Sequence, residues 1–424
     1  MLTSVKDIIG LDTYLMRREL FLPMFITYDG LLDSLGGSQI LPYIKGIATT
    51  QGGMVVLSFE KRFRFAKGRQ DMAAELQRLG IYWKPLLFTS GFGGLGKLWD
   101  LARMYFWGGW LAYRKGVTVV HARGHPTAQV GLFIKRLFGA RLIFDCRGLW
   151  VDERVDKGGW NMDRLLHRLQ FRYFKRAERK LFLKADQVVV LTHKVVDEVV
   201  RLGAAPAAKV TVIPCCADFD HFLLSTALLK ANARAATSIP NGARVLGYLG
   251  SVGRMYMLER FFKLFELVAN VHENSHALLI TQDVLALRQV MILNLPIALH
   301  ARVHVNPASR SEVPILLPAI DCLVNFVMPS YARMSMSPTK LAECFAQGIP
   351  VVCNDGVGDV AINVMKLGAG MIVESVSDTD LSSIVERLDE ICAMGGQRLR
   401  DAARPLLGLE VAKERYRAVY SKLK

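Results

Sequence analysis

The chain reads as an α/β protein of two doubly wound, parallel-sheet domains of Rossmann-like type facing across a cleft. Three observations predict this. Short apolar runs alternate with segments of helical period along nearly the whole length, as in βαβ units whose strands are covered on both faces. The length, 424 residues, is generous for one core and sufficient for two. The charge also changes character midway. Residues 1–215 hold 33 Lys and Arg against 18 Asp and Glu, a balance of +15, whereas residues 216–424 hold 21 against 20, a balance of +1.

With 51% apolar and 22% charged residues the chain is globular, not disordered. Its seven scattered cysteines, with no C-x-x-C, point to neither a disulfide framework nor a zinc site and fit a reducing cytoplasm. The first twenty residues include Asp7, Asp12 and Glu19 and lack a sustained apolar core, so no signal peptide is expected. The most apolar long stretch, residues 313–332, is broken by Pro314, Pro318, Asp321 and Pro329 and reads as a buried helix followed by a strand. The basic first half calls for an anionic surface or ligand, be it membrane, nucleic acid or a phosphorylated acceptor; a solvated basic face is the plain alternative.

In chain order, residues 21–27 (FLPMFIT) are the first buried strand. Gly36 and Gly37 then make a turn before Ser38, which caps a helix from about residue 39 to 50 and lets a phosphate approach the backbone. MVVLSFE is the second strand. Residues 96–115 carry Trp99, Tyr105, Phe106, Trp107, Trp110 and Tyr113 among Lys97, Arg103, Arg114 and Lys115. That composition suits a helix lying at a membrane interface, and equally a core helix of the first domain. VTVVHARGHP is a strand ending at His121, with Arg123 and His125 on the following loop, where open α/β sheets place ligand contacts. The strand RLIFD leads into a polar loop with Arg147 and Trp150, readable as an acceptor-side loop or as a salt-bridged surface loop. Residues 165–184 form a strongly basic helix, followed by the strands DQVVVLT and KVTVIP.

The second half opens on the strand RVLGYLGS, whose turn carries Gly250 and Arg254, and continues through strand–helix pairs to a basic amphipathic helix at residues 409–424. Its most informative stretch is residues 335–353, SMSPTKLAECFAQGIPVVC. Ser337 is a good N-cap before Pro338, residues 339–347 carry a helix, and Gly348 stands where a left-handed residue ends it. Lys340 in the first turn opposes the helix dipole, so helix stability does not explain it, whereas an anion bound at that end does. Glu343, one turn on and on the same face as Thr339 and Lys340, can accept from both hydroxyls of a ribose. A capped surface helix with an ordinary Lys–Glu pair fits the same residues.

This stretch resembles the donor-nucleotide motif of the retaining glycosyltransferases of family 4, which have the GT-B fold. In that family a glutamate ahead of a small-x-Gly-x-Pro-Val-Val turn binds the nucleotide ribose, and Glu343 matches it. A further glutamate stands eight positions earlier, near the transferred sugar; here that position is Ser335. The resemblance implies His121 and Glu343 as catalytic residues. It implies a donor site of Gly37, Ser38, Gly250, Arg254, Ser335, Ser337, Thr339, Lys340 and Glu343, and an acceptor side of Arg123, His125, Arg147 and Trp150. The family's lysine after the arginine is missing, which leaves Lys340 more of the diphosphate charge. The segment VIPCCADFDHF is similar to the family's interdomain segment, giving domains of residues 1–215 and 241–405, a linker at 216–240, and a closing helix at 406–424 that returns to the first domain.

The function so implied is transfer of a sugar from a nucleoside diphosphate donor to a hydroxyl acceptor, lipid-linked or in a growing bacterial surface polysaccharide. Helix N-terminus, Arg and Lys neutralise the leaving group, so no metal and no cofactor beyond the donor are expected. The expected partners are that donor, the acceptor and an anionic membrane surface, not nucleic acid, with the protein peripheral on the inner face of the membrane. Two rivals stay open: a nucleotide-sugar epimerase of the same fold, and a non-enzymatic basic membrane-binding protein.

Overall fold

The computed structural model describes residues 21–91, 93–202 and 204–424; the leader expectation for residues 1–20 falls outside them. The chain forms two compact units, Met1–Ile213 with Ala412–Lys424, and Pro214–Val411.

The sheet of the first unit has seven parallel strands in the order β3-β2-β1-β4-β5-β6-β7. They are β1 (Pro23–Thr27), β2 (Met54–Glu60), β3 (Ile81–Leu87), β4 (Val119–Arg123), β5 (Arg141–Asp145), β6 (Gln187–Val190) and β7 (Val210–Val212). Every residue of β1, β2 and β4 is buried, which is why these strands read as continuous apolar runs and not as an alternation. The strand order reverses between β1 and β4, paired in parallel from Pro23↔Val119 to Thr27↔Arg123. Ligand crevices of open sheets form at the carboxyl ends of such a pair. The helix Leu409–Ser421 contributes Ala412, Tyr416, Val419 and Tyr420 to this unit, a buried stripe at helical spacing.

The second unit repeats the plan with six parallel strands, β10-β9-β8-β11-β12-β13. They are β8 (Arg244–Leu249), β9 (Ser275–Ile280), β10 (Val303–Asn306), β11 (Cys322–Asn325), β12 (Val351–Asn354) and β13 (Gly370–Val373), with the order reversing between β8 and β11. Residues 216–240, expected as a linker, pack into this unit: Phe219, Phe222, Ala233 and Ile239 belong to its core. Thr226 caps their helix, Ala227–Ala236.

Several local expectations change. Gly36 and Gly37 lie inside a short helix, Ser34–Gln39, and the next helix starts at Leu41. A side chain on Gly36 would collide with the Gly30 carbonyl, so the glycine serves close packing of the chain on itself. Ser38 caps nothing; its hydroxyl donates back to the Ser34 and Leu35 carbonyls. The polar loop after β5 contains a helix, Trp150–Asp156. All seven cysteines are free thiols.

Candidate functional site

The helix Thr339–Ala346 lies between β11 and β12. Its N-cap is Pro338, with no side-chain cap, because Ser337 is used elsewhere: its hydroxyl accepts the Cys215 N–H at 3.1 Å. Ser335 is likewise committed, donating to the Ala332 carbonyl at 2.7 Å. The first turn therefore has no side-chain oxygen over its N–H groups, as an anion site requires. Gly348 ends the turn at φ 71°, and a Cβ there would fall 2.7 Å from the Gly396 carbonyl oxygen.

Lys340 is the unusual residue. Its Nζ is buried and has no hydrogen-bond partner among the described residues. Instead it lies over two ring faces, 4.3 Å from the Tyr256 centroid and 4.9 Å from that of Tyr248. Gly250, at φ 141° just past β8, closes the cage: a Cβ there would stand 2.8 Å from Nζ. Burial holds the ammonium down to about 8, against a weak opposing pull from Cys344, Cys353 and Glu343. Two ring faces attract a cation but accept none of its three N–H donors. A buried cation so placed is prepared for an anion that brings its own oxygens.

Glu343 is buried one turn further on, and burial pushes its carboxyl up, opposed by the charge and hydrogen bond of Arg310 and by Lys340. Arg310 donates from Nη1 to Glu343 Oε1 at 3.3 Å. Thr339 begins the helix, and Arg254 is exposed in the turn after β8. Gly250, Lys340 and Glu343 are thus brought to one end of the second sheet. Tyr248, Tyr256 and Arg310 complete that place and went unnoticed in the sequence; they lie far from the motif along the chain, and no local pattern marks them.

The first unit treats its polar residues differently. β4 runs two residues past His121, which puts the histidine inside the sheet, where it is 1% exposed. Its Nδ1 lies 2.9 Å from the Tyr420 hydroxyl and its Nε2 3.3 Å from Asp145 Oδ2. Tyr416 donates to the same Asp145 oxygen at 3.0 Å, and Arg147 lies 3.5 Å from the other. Burial alone would raise the Asp145 carboxyl; Arg147, His121 and Arg123 outweigh it and hold it at about 2. With both ring nitrogens engaged, His121 is a buried contact inside the sheet and not the residue that ends the strand. Arg123 pairs with Asp29 at 2.6 Å. His125 begins the helix His125–Phe138, its Nε2 2.8 Å from the buried Glu178, with Trp150 stacked alongside at 6.0 Å. Gly37 and Ser38 belong to this unit, and a Cβ on Gly37 would meet nothing within 4 Å.

A carboxylate missed in the sequence, Glu60, ends β2. It accepts the Leu31 N–H at 2.9 Å, the Leu32 N–H at 3.3 Å and the Ser58 hydroxyl at 2.7 Å, and so fixes the loop after β1. Among the described residues no group of three or more His, Cys, Asp or Glu could hold a metal ion.

Comparison with known proteins bears on both units. Residues 53–216 match the family profile described as glycosyl transferase 4-like domain. That stretch, most of the first unit, is thus similar to the family-4 glycosyltransferases. The fold of the chain is that of solved GT-B proteins. HepE of Anabaena, crystallised with UDP and glucose, superposes with a TM-score of 0.68 at 14% identity, over 94% of this chain and 99% of that one. Sucrose-phosphate synthase of Thermosynechococcus elongatus gives 0.68 at 17% identity, over 95% and 99%. The lipopolysaccharide outer core galactosyltransferase WaaB gives 0.62 at 11% identity, over 95% and 100%. A search of curated proteins finds no match. The GT-B architecture expected from the family-4 resemblance is thereby borne out.

Proposed function

We propose that the protein is a retaining glycosyltransferase that moves a hexose or similar sugar from a nucleoside diphosphate donor to a hydroxyl acceptor. The observation that carries this reading is Lys340, a buried ammonium with no hydrogen-bond partner at the uncapped start of a helix. The donor diphosphate supplies the missing acceptors there, with Arg254 able to reach in from the turn after β8. Glu343 accepts from the ribose hydroxyls, with Arg310 donating to its Oε1. Stabilising charge that grows on the leaving diphosphate needs only these fixed cations and backbone N–H groups, so neither a metal nor a further cofactor is required. Retention rests on the family resemblance. Structures of HepE with UDP and with UDP-glucose support a nucleotide-sugar donor by analogy.

For the acceptor we favour a lipid-linked sugar or growing polysaccharide met at the inner face of a bacterial membrane. Two helices of the basic first unit support this. Gly93–Lys115 buries Met104, Gly108 and Leu111 but exposes Trp99, Phe106 and Trp110, and Leu165–Lys184 exposes Leu169 and Tyr173 among arginines. Both pack against the helix His125–Phe138. No helix among the described residues is long and apolar enough to cross a membrane.

The test is a thermal-shift screen of the whole chain against nucleoside diphosphates and their sugars. One family of diphosphates should raise Tm while nucleosides and monophosphates raise it less. No shift with any diphosphate would overturn the donor assignment, and sugar conversion without an acceptor would favour an epimerase.

A further inference from the structure

We infer that binding of the donor diphosphate is coupled to uptake of a proton by the Nζ of Lys340. The inference rests on the donor reading above and adds a linkage that the reading does not require.

The geometry carries it. An ammonium has three N–H donors, and in this site none meets an oxygen: two tyrosine faces, Gly250 and the helix start surround it. Ring faces recover part of the lost hydration and no more. The empty site therefore holds the charged form weakly, and burial brings its titration down to about 8. A diphosphate changes the balance by bringing two or more anionic oxygens to the same atom, which returns the group to a firmly charged ammonium. The balance is simple: the neutral amine, one proton from solvent and the ionised diphosphate give an ammonium–diphosphate pair, and the proton returns to solvent when the nucleotide leaves.

The titratable groups around Lys340 are two phenols, two thiols and the Glu343 carboxyl. Burial raises the phenols of Tyr248 and Tyr256 and the thiols of Cys344 and Cys353. Burial raises the Glu343 carboxyl as well, against the pull of Arg310 and Lys340. The second ionisation of a nucleoside diphosphate, near pH 6, is complete well below pH 8.

The experiment is calorimetric titration of the whole chain with UDP, and with GDP, ADP and CDP if UDP is silent, in Tris and in HEPES. Proton uptake makes the apparent enthalpy depend on the buffer. The expected uptake by Lys340 is about half a proton at pH 8, close to one at pH 9 and about a tenth at pH 7. The apparent Kd should change by less than about twofold between pH 6.5 and 7.5 and rise roughly tenfold per pH unit well above 8. Lys340→Arg, which cannot deprotonate, should bind with buffer-independent heat; if that variant does not fold, the pH dependence of the wild-type Kd decides alone. Binding with equal heats in both buffers at pH 8 and 9 would overturn the coupling and leave the donor site standing. No binding by any of the four nucleotides would remove the donor site and this inference together.

Discussion

Two buried polar clusters, one in each unit, are close opposites. Around Asp145, a carboxylate, an imidazole and two phenols answer one another's hydrogen bonds, with a guanidinium beside them. Around Lys340 an equally buried charge has no such answer. Leaving a buried polar group unmade costs about 1–3 kcal/mol, and more for a charge. The first cluster ties β4 and β5 to the helix Leu409–Ser421, with Asp145 Oδ1 left to the Arg147 charge alone; the second is where we propose that the donor diphosphate binds.

Breaking the closed cluster should have the largest effect. Asp145→Ala would leave His121, Arg147 and Tyr416 without their shared acceptor, and should lower stability by roughly 3–5 kcal/mol in a denaturant titration. A loss below 1 kcal/mol would show that the cluster is not structural. Acid acts on the same group. The Asp145 carboxyl is depressed in the folded chain, from about 3.8 to about 2, so its contribution is complete above the unfolded value and disappears as pH falls through the folded one. The first unit's acid transition should therefore lie between those values, and Asp145→Asn should flatten it.

The open cluster should respond with the opposite sign. Lys340→Met removes a buried charge with no partner and should leave stability unchanged or raise it by about 1–3 kcal/mol, while nucleotide binding is lost. The Lys340 pKa is depressed in the folded chain, so its cost is full below about 8 and fades as pH rises toward the unfolded value of 10.5. The gain from Lys340→Met should shrink over that window. A variant clearly less stable than wild type at pH 7 would put Lys340 among the structural residues.

How far these clusters could be read from sequence differs for a physical reason. The strand MVVLSFE, the helix Leu165–Lys184 and the turn at Gly348 were legible because apolar period, helical spacing and a left-handed glycine are local signals. Lys340 and Glu343 were legible as a pair on one helix face. The cage was not: Tyr248 and Tyr256 reach Lys340 only through the order β8-β11-β12, which no local pattern fixes. His121 was misplaced because β4 continues two residues beyond it, which turns a strand-end residue into one inside the sheet. Arg147, expected to meet an acceptor, lies instead against Asp145 and Tyr416, a residue contributed by the far end of the chain.

The smallest expected effect is that of EDTA. With protein cations on the diphosphate, a chelator should leave transfer within about twofold of the untreated rate, since the electrostatic work is done by fixed groups. A rate that collapses and recovers with magnesium or manganese would assign that work to a metal.

The most direct measurement compares nucleoside diphosphate affinity of the wild type with Lys340→Ala and Glu343→Gln by calorimetry. Losing a hydrogen bond to a charged group should weaken binding by roughly 1.5–3 kcal/mol in each variant. Lys340→Ala should be felt by the diphosphate and hardly by the nucleoside, Glu343→Gln by both. Unchanged diphosphate affinity in both variants would contradict a donor site at this helix.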